Sequence, residues 1–229
     1  MTTRLMPARA PGSAAAGRAR VTDLRLGGTL LFLAGAIILM GIITAEALYP
    51  GSYSTAANEI SDLGGTRPPG SIVSQPSATV FDLSMIAVGL LVIVGSWFVH
   101  GAFGRRAVTL PIAILGAGAL GVGLFPGNTG NPHAISAMVT FVAGGVAALS
   151  ASRIATAPVR YLSILLGAVS LLTLVAYLLL GDSGPMASLG IGGVERWIVY
   201  PIVMWVTGFG GYLAGRADGA ADAGATAGP

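Results

Sequence analysis

Of 229 residues, 9% are charged and 54% hydrophobic, and the mean hydropathy is +0.80. Soluble domains carry roughly 25% charged residues, so this chain has too little charge to cover a water-facing surface, and a polytopic membrane protein is predicted. The formal charge is +3, but no basic patch with interleaved aromatics is present, so nucleic acid is excluded as a partner.

Residues 1–25 are rich in Ala, Gly, Pro and Arg, with Arg4, Arg9, Arg18, Arg20 and Arg25, and read as a disordered cytoplasmic tail. The apolar run 26–49 follows. Ala45-Glu46-Ala47 resembles a cleavage site, yet the run far exceeds the roughly 7–15 residues of a signal-peptide h-region. Its length matches the about 20 residues that cross a hydrocarbon core, so it is predicted to be a first spanning helix. Glu46 falls in the last turn, where a negative charge opposes the helix dipole and partial burial is costly. A cation should compensate it, and Arg67 and Arg196 are the available ones.

The connection 50–77 contains Asn58-Glu59-Ile60-Ser61-Asp62-Leu63-Gly64. On a helical turn, Glu59 and Asp62 at i and i+3 share a face. Ile60 and Leu63 would anchor that turn to the bundle, and Gly64-Gly65 would end it. A capped, solvated turn and a functional acidic pair both remain open. The second span, 78–99, starts near Thr79-Val-Phe-Asp82, which resembles a capping box with Asp in place of Glu.

Residues 101–107 carry Arg105 and Arg106, and His100 beside them reads as an interfacial residue. The third span, 108–125, holds Gly116, Gly118, Gly121 and Gly123, and the sixth ends among Gly208, Gly211 and Gly215. Such small-residue faces serve internal packing or association of two copies as a homo-oligomer. In the connection 126–133, Asn131 is placed as an N-cap and Pro132 as the first residue of the fourth helix, with His133 in its first turn.

The fourth and fifth spans are 134–151 and 161–180, joined through Arg153 and Arg160; Glu195-Arg196 opens the sixth, 194–214. Glu195 would there favour the positive end of the helix dipole. The tail 216–229 is low in complexity and read as disordered. All basic residues are Arg, and all but Arg67 and Arg196 fall on one side of this pattern. The positive-inside rule makes that side cytoplasmic, so an all-α six-helix bundle in the plasma membrane with both termini cytoplasmic is predicted. Interfacial aromatics agree: Tyr49, Phe125, Tyr177, Trp197 and Tyr200 near the outer boundary, Trp97, Phe98, Tyr161 and Tyr212 near the inner.

The same sorting gathers polar side chains outside. Asn58, Glu59, Ser61, Asp62, Asn131, His133, Glu195 and Arg196 are the candidate binding residues. His133 with Asp62 and Glu59 is the candidate catalytic set, and His133, Glu59, Asp62 and Asp82 are candidate ligands for a divalent metal. One imidazole with several carboxylates suits hard or borderline ions, whose bound water is acidified toward neutrality. Cys is absent, which excludes disulfides, thiolate sites and thiol catalysis.

Three pieces of sequence together resemble domain-of-unknown-function family 998, a group of prokaryotic membrane proteins. They are Ile60-Ser-Asp-Leu-Gly64 after a first helix ending in Tyr-Pro, Gly123-Leu-Phe-Pro126 with His133 soon after, and Glu195-Arg196 opening the last helix. The resemblance covers about residues 26–215. It implies a compact helical membrane domain and brings no activity with it. Three functions fit the residues: binding of a lipid headgroup, small solute or partner in an outward polar pocket; metal-assisted hydrolysis within the membrane; and, with least support because mid-span ionisable residues are lacking, a small permease.

Overall fold

The structure, a computed structural model, describes residues 11–226. Its regular elements are six long helices: α1 (Pro11–Leu48), α2 (Ser77–Phe103), α3 (Arg106–Leu124), α4 (Asn131–Ala151), α5 (Val159–Leu180) and α6 (Gly190–Thr226). All six are long and apolar enough to cross a membrane. Each packs against the next in chain order, and α6 also packs along α1, so the helices form a closed ring. From α2 to α6 the connections are short, which favours antiparallel neighbours, whereas α1 and α2 are joined through the long loop 49–76.

Close backbone approach holds the ring at several crossings, alongside a core of buried side chains such as Leu31, Ile112 and Phe209. Gly28 of α1 and Gly210 of α6 face one another, and a Cβ at Gly210 would run into Phe32 N and lie 2.7 Å from Gly28 O. Along α3, a Cβ at Gly116 would lie 2.9 Å from Gly89 O of α2, and one at Gly118 would lie 2.8 Å from Thr140 N of α4. Gly121 and Gly123 likewise abut α4 and α2. The α3 glycines are therefore taken up inside the chain. Gly208 and Gly215 of α6 face open space. Without a hydrophobic force between helices in lipid, such contacts supply the packing. The outward faces carry large apolar side chains such as Leu83, Trp97, Ile135, Leu172, Leu179 and Met204, as a lipid-facing surface requires.

Both expected tails need correction where the structure describes them. Helix α1 begins at Pro11, so the stretch from there to Arg25 is helical rather than disordered, and α6 continues to Thr226. Ala and Arg are good helix formers, and the two extensions pack together. Leu24 and Ala217 are buried, and Arg25 meets Asp218 at 2.8 Å. Residues 1–10 and 227–229 of those tails lie outside the described residues.

At this arginine-rich end, Tyr212 OH accepts the Thr156 N–H at 3.0 Å. His100 Nδ1 lies 3.1 Å from Thr109 Oγ1, linking α2 to α3. At the opposite end, the loop between α1 and α2 folds inward. Its 3-10 turn, Ile60–Leu63, buries Ile60 and Leu63 in the main core, so the two residues expected to anchor this turn do so.

Candidate functional site

Arg196 organises the loop end. One turn into α6, its Nη1 donates to the carbonyls of Thr55 at 2.9 Å, Asn58 at 3.0 Å and Gly192 at 2.9 Å. Its Nη2 donates to Glu46 Oε1 at 2.7 Å and to Tyr53 OH at 2.9 Å. Nη1 has two hydrogens for the three carbonyls, so they share its donors through a bifurcated bond, and the planar fork points Nη1 and Nη2 at the two sets of acceptors. Nε is buried without a hydrogen-bond partner among the described residues. Glu46 thus has its cation, and α1, α6 and the loop are tied to one side chain. Burial lifts the Tyr53 phenol above its ordinary range despite the arginine beside it, so Tyr53 stays protonated and donates to Glu59 O at 2.7 Å.

The acidic pair divides its roles. Asp62 Oδ2 accepts the Glu59 backbone N–H at 3.0 Å and Asn58 Nδ2 at 3.4 Å, while Asn58 Oδ1 accepts the Ser54 N–H. Asp62 and Asn58 are therefore engaged in shaping the turn. Glu59 instead pairs with Arg67 at 2.6 Å. Burial pushes the Glu59 carboxyl above its ordinary 4.5; Arg67 opposes this and Asp62 adds to it, leaving a net rise.

A carboxyl with a raised folded value contributes stability that is complete in acid and fades as pH climbs through that value. Glu59→Gln should remove this slope, so wild type should lose Tm relative to the variant as pH rises from 4.5 toward neutrality. Melting curves in mild detergent check this, and parallel Tm–pH curves for the two proteins would contradict it.

Three sequence expectations fail at helix starts. Helix α4 begins at Asn131 with Gly130 as N-cap and without a side-chain cap, so Asn131 is not the cap. The Gly130 backbone, φ 73° and ψ −118°, is a conformation glycine tolerates and Asn does not. Helix α2 begins at Ser77 with Pro76 as its N-cap, before Thr79, and Thr79 donates its backbone N–H to Gln75 Oε1 at 3.3 Å and its hydroxyl to the same oxygen at 2.7 Å. Gln75, one residue before the N-cap, thus accepts a first-turn N–H of α2, and the Thr79–Asp82 box does not form. Asp82 Oδ1 is buried without a hydrogen-bond partner among the described residues. Helix α6 starts at Gly190, which places Glu195 in its second turn. Its carboxylate is buried there and accepts the Ile60 backbone N–H through Oε2. The contact fastens the 3-10 turn to α6 and replaces the expected dipole role.

Between α4, α5, α6 and the loop lies a cavity of about 530 Å³. Glu59, Ser61, Arg67, Asn131, His133, Tyr177 and Glu195 supply its polar groups, and Met138, Phe141, Leu174, Ile198 and their neighbours supply apolar walls. A second cavity of about 80 Å³ lies inside the ring, walled by Ile38, Ile42, Phe81, Met85, Val88 and other apolar side chains. Ser61, His133, Ala137, Phe141 and Glu195 border both and so form the partition between them. His133 is buried, and its Nδ1 lies 2.8 Å from Phe125 O. That carbonyl ends α3, so the contact fixes the ring's orientation.

Of the predicted site residues, the cavity unites Glu59, Ser61, Asn131, His133 and Glu195. Arg196, Asn58 and Asp62 are turned to structural work, and Asp82 lies away from both cavities. Among the described residues no three His, Asp or Glu side chains gather closely enough to hold an ion. Arg67 and Tyr177 were missed as cavity residues. Arg67 carried a signal, being the lone Arg of the outer connections; Tyr177 read only as an interfacial aromatic.

Six apolar helices around a central partition, closed at one end by an inward-folded loop, define a polytopic helical membrane protein. Residues 32–212 match the family described as Protein of unknown function (DUF998), and the chain belongs to that family. No curated protein and no solved structure matches the chain.

Proposed function

We propose that this protein lies in the plasma membrane with both termini cytoplasmic and binds the headgroup of a lipid in the cavity between α4, α5 and α6. The observation that carries this reading is the ordering of the cavity wall. Polar groups cluster where the loop meets the first turn of α4 and Glu195 in the second turn of α6, and apolar side chains follow toward Phe141, Leu174 and Ile198. From Asn131 to Phe141 that wall runs roughly 15 Å at 1.5 Å per residue, a depth that reaches from headgroup level well into the acyl region. A volume of about 530 Å³ falls within the range of small-molecule sites. The arginine-rich opposite end, with Arg105, Arg106, Arg153 and Arg160, supports an outward-facing cavity by the positive-inside rule.

Ala137 borders both cavities, so Ala137→Trp should fill the partition. Lipid retained through purification should then fall several-fold by mass spectrometry, with helical content unchanged. Equal retention in wild type and variant would remove the cavity as the binding site. Orientation has a separate test. The chain has no Cys, so a single Ser71→Cys in the exposed loop should react with a membrane-impermeant thiol reagent in intact cells. Labelling only after lysis would reverse the topology.

A further inference from the structure

Glu195 is 8% exposed, and only its Oε2 receives a hydrogen bond, from Ile60 N–H, among the described residues. Among those residues, too, no cation lies within ion-pair distance of it. The two arginines at this end are committed elsewhere: Arg196 to Glu46 at 2.7 Å and Arg67 to Glu59 at 2.6 Å. Burying a carboxylate is costly unless it gains a cation and further donors.

His133, which also borders both cavities, adds a second acceptor to the partition. Its Nδ1 faces a carbonyl oxygen at 2.8 Å, which can only accept, so Nδ1 carries the hydrogen and the neutral ring presents Nε2 as a lone pair. The partition between the two cavities therefore offers a carboxylate oxygen and an imidazole nitrogen, and among the described residues no cation is ion-paired with either.

We infer that the headgroup bound here ends in a primary ammonium, seated on Glu195 with His133 Nε2 as a second acceptor. This rests on the lipid-headgroup reading above. A primary ammonium supplies both the missing charge and three N–H donors. A quaternary ammonium supplies charge without N–H, and a glycerol headgroup supplies donors without charge, so each meets only half of the requirement.

The test uses the full chain in nanodiscs holding equal amounts of ethanolamine-, choline- and glycerol-headed phospholipids with identical acyl chains. Bound lipid is counted by native mass spectrometry after release. Wild type should retain the ethanolamine headgroup about tenfold over each of the others, the scale of one charge-assisted hydrogen bond. Glu195→Gln should bring that ratio close to one while lipid is still bound. If this variant does not accumulate as folded protein, the wild-type comparison decides alone. Retention of all three headgroups equally, or a preference that survives in Glu195→Gln, overturns the ammonium inference and leaves the lipid reading standing. Retention of no phospholipid overturns both.

Discussion

Arg196→Met should destabilise the protein by about 3–5 kcal/mol, the cost of leaving a buried partner charge alone. Glu46 would lose its cation while still largely sheltered, and the carbonyls of Thr55, Asn58 and Gly192 would lose their shared donor. The loss should reach beyond α6, since this side chain also holds the loop whose Ile60 and Leu63 plug the ring. Arg196→Lys should recover only part, because a point charge cannot serve three carbonyls, a carboxylate and a phenol together. Glu46→Gln in the Arg196→Met background should relieve the uncompensated charge and so show non-additivity. Unfolding in mixed micelles measures wild type, these three variants and Glu46→Gln alone, which closes the cycle. A single variant Arg196→Met that unfolds like wild type would show that the clasp contributes nothing.

Gly210→Val should be strongly damaging, and Gly208→Val, two residues away, nearly harmless. At Gly210 a new Cβ meets backbone atoms of Phe32 and Gly28, which cannot swing aside as a side chain could. Helices α1 and α6 would have to separate along their length. Overpacking costs typically about 1–3 kcal/mol and more when backbone must shift, so little folded protein is expected at Gly210→Val. At Gly208 no atom lies within 4 Å of the added Cβ. Valine is also the better helix former, so any change there should be small. Expression and thermal melting of the two variants side by side check the contrast. Similar losses at both positions would mean that loss of glycine itself, and not the α1–α6 contact, is responsible.

The bundle was legible because its signals are long and redundant. Each span carries apolar residues in a run that only a membrane helix uses, and helix count agrees with arginine placement. What failed was local. Glu195 was displaced from its expected role because α6 begins at Gly190, four residues before the expected start at 194, within a glycine-rich stretch that gives no sharp initiation signal. Thr79–Asp82 misled because the competing acceptor, Gln75, stands one residue before the N-cap and lies outside the usual N-cap residue types.

The acidic pair was correctly seen to share a turn, yet spacing cannot tell that Asp62 would face the backbone of Glu59 while Glu59 would face Arg67. The cavity's apolar wall was beyond reach for a different reason. Met138, Leu174 and Leu178 have the same chemistry as residues that face lipid, and in a membrane both faces of a helix are apolar, so periodicity loses its power to separate them.

The ring has one more implication, for how the chain can be rewired. Because α6 returns to lie against α1, and Arg25 of one meets Asp218 of the other at 2.8 Å, the order of helices around the bundle has no natural seam. A circular permutant that fuses these two ends and reopens the backbone at Gly104, on the same side, would keep every neighbouring pair side by side and each rod pointing in its original direction. Reopening at Gly130, on the other side, would place both new ends there, so each rod would keep its direction only if the new N-terminus crossed the membrane. Both cuts fall in short connections, Gly104–Arg105 and Phe125–Gly130, so a large difference in yield would report the direction of insertion rather than the packing.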